Sequence, residues 1–309
     1  MKRVLKIWIL AVAMVMGGAL PPHVVGESYI STQWSVQAKS KKKHKNKKKH
    51  KRKSKQSVKS SVSPLMSVPT IGVSQKAVQP QQGSNALLGV NIPKGVSNQV
   101  LNYQAIRVNF NPVLRIPNCV AYELTATMVS MADAPGHESR KNYNYSRDRS
   151  VKSCPENWEY RGSGYSRGHM APAMDMRWDK TAMSQCFYMT NMCPQDVKLN
   201  NDHWRVLEEK VHRWAKRDKR LMIYTGPIVG KNPKKIGKNK ADIAVPDAFF
   251  KVVYAPDQGR AIAFIYSNRP CPGGISKYAV TVAEVERRTG LKFSSTIPKH
   301  QCNVEAWER

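Results

Sequence analysis

Apolar positions start to recur with a regular period only from about residue 98. Ala121–Met128 alternates apolar and polar side chains, the period-two pattern of a half-buried strand. Phe187–Met192, Leu221–Tyr224, Phe249–Tyr254 and Ala261–Tyr266 read as strands in the same way. The last two flank a turn sequence containing Gly259, so they predict a hairpin. Asp202–Lys216 predicts a helix, because Trp204, Leu207, Val211 and Trp214 recur at spacings of 3, 4 and 3 and form one apolar stripe. A second helix is predicted over Val282–Thr289. Thr281 and Glu284 form a capping box before it, and Gly290 suits a left-handed stop. Strands in succession with few helices predict an antiparallel α+β domain over residues 99–309, long enough for one core.

The chain before that domain has a different pattern. Ile7–Met16 is apolar, Lys2, Arg3 and Lys6 precede it, and Gly17, Gly18 and Ala19 follow. Residues 1–26 therefore read as a secretory signal peptide, shorter than the roughly 20 apolar residues of a membrane span. The expected location is secreted or periplasmic, with membrane anchoring if the segment stays uncleaved. Residues 27–98 read as a disordered tail: Ser40–Lys59 has almost no apolar side chain, and a linker rich in Ser, Pro, Gln and Val follows.

Charge adds a partner class. The net charge is +30, and residues 39–59 hold 13 lysines and arginines with no acid. Residues 61–309 still keep 35 basic against 20 acidic side chains. Nucleic acids and other polyanions are the usual partners of such a surface. The run 39–59 reads equally as a tether for DNA or anionic surface polymers and as a solvated spacer. The sequence sets no oligomeric state.

Candidate chemistry concentrates in Gly164–Glu208, in the order strand, loop, histidine, apolar run, two asparagines, helix. Hydrolysing a phosphodiester needs a base for water, a hard cation beside the phosphorus and positive groups for the phosphate. His169 suits the first role because imidazole titrates near neutrality. Gly168 beside it permits a close approach of backbone or substrate. Asn200 is a neutral oxygen ligand of the kind that leaves a Mg²⁺ shell largely to water and phosphate. Counted at about 100° per residue, Glu208 and His212 flank the buried stripe on one side, where they can face a cleft. Each residue also has an ordinary reading: a surface histidine, a helix-capping Asn200, a Glu208 paired with Lys210 or Arg205.

The ordered segments SGYSRGHMAPAMDM, FYMTNMCPQDVKLN and WRVLEEKV resemble the DNA/RNA non-specific endonucleases, the ββα-metal nucleases that include endonuclease G. RIPNCVAYELT, SRKNYNYSRD, IYTGPIV, VPDAFFKVVY and YAVTVAEVERRTGL extend the resemblance over roughly residues 100–295. It implies a ββα-metal fold with a central antiparallel sheet flanked by helices. It implies a metal-dependent endonuclease that cleaves DNA and RNA with little sequence preference, using Mg²⁺ or Mn²⁺ and leaving 5′-phosphate ends. By position, His169 is the general base and Asn200 the metal ligand. Glu208 holds waters of the ion, Arg167 and Arg140 contact phosphate, and Asn191 orients groups around His169. Two positions depart from the pattern: Ser166 stands where many members have Asp, and His212 where Arg is expected. The rival reading is a polyanion-binding protein on an inactive nuclease fold. Of the six cysteines, Cys271 and Cys302 form the favoured disulfide, whereas Cys186 reads as a buried thiol.

Overall fold

The computed structural model describes residues 89–238 and 241–309. The leader and the Lys-rich run expected upstream lie outside them. Strands β1 (Gln99–Asn102), β2 (Ile106–Asn111) and β3 (Ile116–Thr125) lead into helix α1 (Ala126–Asp133). Strand β4 (Tyr165–His169), helix α2 (Lys180–Cys186), strand β5 (Met192–Asp196) and helix α3 (Arg205–Asp218) follow. Then come β6 (Arg220–Ile228), β7 (Lys235–Ile236), β8 (Ile243–Ala244), β9 (Ala248–Ala255), β10 (Arg260–Ser267) and β11 (Ala279–Val280). Helices α4 (Val282–Thr289) and α5 (Glu305–Glu308) close the chain.

Seven strands form one antiparallel sheet in the order β1-β2-β3-β6-β9-β10-β11, while β4 pairs with β5 and β7 with β8 in separate ribbons. The expected central antiparallel sheet flanked by helices is therefore present. Alternation sorts its side chains to two faces. Tyr122, Leu124, Ile223, Phe249 and Val253 join the core that also holds α3 residues Leu207, Val211 and Trp214. Ala121, Tyr224, Phe250 and Val252 join a second core with Val282 and Val285 of α4. Val90 and Ile92 pack against this second core, and Asn91 bridges to Lys292.

The β9–β10 hairpin forms as expected, with Gly259 left-handed at φ 57° after a short 3-10 turn. The stripe Trp204, Leu207, Val211 and Trp214 is buried throughout. Helix α4 spans the predicted residues, and the Thr281 hydroxyl accepts from Glu284 N–H while Gly290 ends it at φ 74°. Only half of the capping box forms, because the Glu284 carboxylate is drawn to Arg287 and Arg288 instead.

Four expectations are corrected. The strand read over Ala121–Met128 stops at Thr125, whose hydroxyl accepts from Met128 N–H and so caps α1. The helix over Asp202–Lys216 starts earlier, as a π-helical turn at Leu199–Trp204, and ends at Asp218. Phe187–Met192 is not a strand: Asp179 caps α2, and a 3-10 turn at Met189–Asn191 follows before β5 begins. The Cys271–Cys302 disulfide is also absent, since all six cysteines are free thiols. Cys271 is buried with its thiol on the Ser267 and Arg269 carbonyls, whereas Cys302 sits exposed on the tail. Cys186 is a buried thiol, as expected.

One close approach locks the sheet centre. A Cβ built on Gly226 of β6 would lie 2.6 Å from the Asn118 carbonyl and 3.0 Å from the Phe250 ring. Paired backbone cannot yield easily, so Gly226→Ala is expected to cost about 1–3 kcal/mol by overpacking. Urea unfolding monitored by tryptophan fluorescence checks this, with Gly274→Ala as the control, since a Cβ there would meet nothing closer than Ser276 Oγ at 3.7 Å.

Candidate active site

The β4–β5 ribbon carries the site. Its register sets Ser166 opposite Gln195, Gly168 opposite Cys193 and His169 opposite Met192. Alternation puts Tyr165, Arg167 and His169 on one face, leaving Ser166 and Gly168 on the other. Gly168 is obligatory for packing: a Cβ there would overlap the Gln195 side chain. The approach that the glycine allows is thus made by buried Gln195.

On the opposite face, the His169 ring lies 4.9 Å from Phe187, edge-on, and 5.5 Å from Tyr145. The residue keeps some exposed surface, but its Nε2 is buried without a hydrogen-bond partner. Burial, and then the nearby Arg140 cation, push its pKa down to about 3. The imidazole is therefore neutral at physiological pH, with Nε2 uncommitted.

Arg140 and Arg167 both lie over the Tyr145 ring, at 5.7 and 5.5 Å from its centre. Arg140 also covers Phe187 at 5.0 Å and donates to the Tyr145 hydroxyl at 3.0 Å. Arg167 donates to the Asn157 carbonyl at 2.7 Å and covers Tyr160 at 5.5 Å, while its Nε is buried and unpartnered. His169, Arg167 and Arg140 therefore meet around one tyrosine.

Asn191 is fully buried behind this group. Its amide donates to the Ala171 and Cys186 carbonyls at 3.0 and 2.8 Å, and its oxygen accepts from Ala171 N–H at 3.0 Å. It pins the backbone two residues after His169 to the end of α2.

Asn200 lies in the π-helical turn, half-exposed, and its Nδ2 donates to Asn201 at 3.0 Å, which leaves its carbonyl oxygen free. Such turns are frequent at functional sites. Asp196, at the end of β5, caps Leu199 N–H at 2.9 Å and so sets where the turn starts. Glu208, on α3, has one buried carboxylate oxygen without a hydrogen-bond partner. Burial pushes its pKa well above the ordinary carboxylate range, and Lys251 opposes that rise.

Lys251 is fully buried in β9, its ammonium 4.9 Å from the Trp204 ring centre and unpartnered by hydrogen bonds. Register places it beside Thr225 on the α3 face of the sheet. Burial depresses its pKa, while Glu208 and Asp175 raise it. Asp175 accepts from Tyr122 at 2.8 Å and bonds His212 Nδ1 at 2.7 Å. His212 therefore does not flank the cleft as the helix count placed it. It is buried between Asp175 and Asp133, which overcome the effect of burial and raise its pKa. Tyr145, Asp175 and Lys251 were missed by the sequence reading. Lys251 had a signal: a cation in the middle of the apolar run AFFKVVYA.

A family model for DNA/RNA non-specific endonucleases matches residues 83–300. The chain is 31% identical to mitochondrial nuclease 1 of Schizosaccharomyces pombe over 231 residues, covering 67% of this chain and 69% of the relative. It is 33% identical to human mitochondrial endonuclease G over 179 residues, covering 52% of this chain and 60% of the relative. The match thus spans about two thirds of these relatives' length. A crystal structure of an EndoG/EndoGI complex superposes with TM-score 0.59 and 28% identity, over 64% of this chain and 86% of that one. These relatives are mitochondrial nucleases, which overturns the secreted or periplasmic location read from residues 1–26.

Removing Lys251 tests the buried charge cluster. Breaking a buried pair typically costs about 3–5 kcal/mol when the remaining charge is uncompensated. In Lys251→Met the Glu208 pKa rises further above its unfolded value. Stability is then kept at low pH, where Glu208 is protonated in both states, and lost as pH rises towards the folded pKa. Urea unfolding should therefore show a larger deficit at pH 8 than at pH 5, and Glu208→Gln in the same chain should remove most of it. The family match over residues 83–300 and the identity to these relatives show that the chain belongs to the DNA/RNA non-specific endonuclease family, a family of phosphodiester-hydrolysing nucleases.

Proposed function

We propose that the domain expected over residues 99–309, together with residues 89–98 that pack on it and were expected in the tail, forms a divalent-metal-dependent endonuclease that cleaves DNA and RNA with little sequence preference, and that the Lys-rich run upstream is its basic tail. The observation that carries this reading is a neutral histidine with an uncommitted nitrogen, set beside two arginines on one tyrosine. His169 takes the proton from the attacking water. Arg167 and Arg140 hold the phosphate and balance charge that develops on its oxygens. Asn191 fixes the backbone that follows the base. Contacts of this kind hold a nucleic acid without reading its bases.

Among the described residues no three His, Cys, Asp or Glu side chains gather into a closed metal cage. The free carbonyl of Asn200 and the orphaned oxygen of Glu208 fit a hard cation that keeps much of its shell as water and phosphate, as Mg²⁺ or Mn²⁺ does. Asn200 would hold the ion directly and Glu208 through its waters. When bound, the ion supplies Lewis-acid stabilisation of the phosphate and leaving oxygen.

Excess chelator should abolish cleavage of supercoiled DNA and of RNA, and added Mg²⁺ or Mn²⁺ should restore it. Asn200→Ala should raise the metal concentration needed for half-maximal rate by roughly 10–100-fold or more, the cost seen when even supporting residues of metal sites are lost. Full activity in excess chelator would contradict the metal assignment. Polymer binding without any cleavage would favour the polyanion-binding alternative.

A further inference from the structure

The face of β4 that carries His169 continues past the site. Residues two apart on a strand stand about 6.6 Å from one another, so His169, Arg167 and Tyr165 mark a line about 13 Å long. Lys234, exposed just before β7, sits with its ammonium 5.2 Å from the Tyr165 ring centre. Arg161, also exposed, directly follows the 3-10 turn Asn157–Tyr160, whose first carbonyl holds Arg167. Burial lowers the Arg167 pKa most, and the charge of Arg161 adds to that fall. The acid opposite Tyr165, Asp196, is engaged in capping Leu199.

We propose that Lys234 and Arg161 form a binding subsite for the backbone of one nucleic-acid strand, extending the phosphate-holding row of Arg140 and Arg167 along β4. The inference rests on the nuclease reading and adds where the substrate runs. The spacing along the strand face is comparable to that of successive phosphates in a nucleic-acid strand. Tyr165 has a mechanical role: its ring carries the lysine by a cation–π contact and keeps the ammonium above the strand face. Neither cation reaches the reacting phosphorus, so both act on binding. A substrate with a single phosphate ends before this subsite.

The test compares Lys234→Ala, Arg161→Ala and the double variant with wild type, at several salt concentrations. The substrates are a long single-stranded oligonucleotide and bis(4-nitrophenyl) phosphate. On the oligonucleotide, KM should rise roughly two- to fivefold per cation removed, as for exposed ion pairs, with kcat retained. The slope of log affinity against log salt should shrink by roughly 0.7 for each phosphate that is no longer neutralised. Hydrolysis of the small diester should not change, and Lys234→Arg should behave as wild type. Wild-type KM and salt slope in the double variant would overturn the subsite. Equal losses on both substrates would also overturn it, since the variants would then have disturbed the site itself. If wild type cleaves neither substrate, the nuclease reading fails, while anisotropy of the labelled oligonucleotide still reads the salt slope and decides the subsite separately.

Discussion

An ammonium group inside a sheet is tolerable only if opposite charge comes to it, because an unpaired buried cation costs several kcal/mol. Lys251 imposes that condition on this fold. Alternation along β9 sends Phe249, Lys251 and Val253 to the face covered by α3, and there the helix supplies Glu208 and the indole of Trp204. Asp175, arriving from the loop after His169, adds a second carboxylate and ties it to Tyr122 of β3 and His212 of α3. One buried charge thus fixes how α3 lies on the sheet. It also links the loop that follows the histidine to the helix that the π-helical turn with Asn200 leads into.

Above this cluster the site separates its tasks by environment. Burial and a neighbouring cation keep His169 neutral, the protonation state that the proposed base requires. The two arginines are spaced by stacking on Tyr145, and each makes one hydrogen bond, Arg140 to the Tyr145 hydroxyl and Arg167 to the Asn157 carbonyl. Asn191, buried and fully bonded, gives the histidine strand a rigid continuation.

Much of this was legible in the sequence where a local rule dominates. The hairpin around Gly259, the stripe of α3 and the ends of α4 follow from periodicity and capping chemistry, and the family resemblance identified His169, Arg167, Arg140 and Asn191 as one group. Other features depend on contacts between distant segments. Phe187–Met192 alternates like a strand, yet Asn191 must reach back to Ala171, and that bond turns the chain. His212 lies on the side of α3 that a helical count assigns to the cleft, but two aspartates from other segments bury it. Lys251 shows as an anomaly in an apolar strand, and only the packed sheet reveals its partner. Neither Cys271 nor Cys302 carries a local signal that could have argued against pairing them.

The central claim is that His169 performs the proton transfer and does not merely bind substrate. It is tested most directly by single-turnover cleavage of a labelled duplex by wild type and His169→Ala, with affinity measured on the same preparations. The expected result is a loss of about 10²–10⁴ in the cleavage rate, as for other general bases, with the dissociation constant unchanged. A variant that cleaves at the wild-type rate, or one whose loss is entirely in affinity, would contradict it.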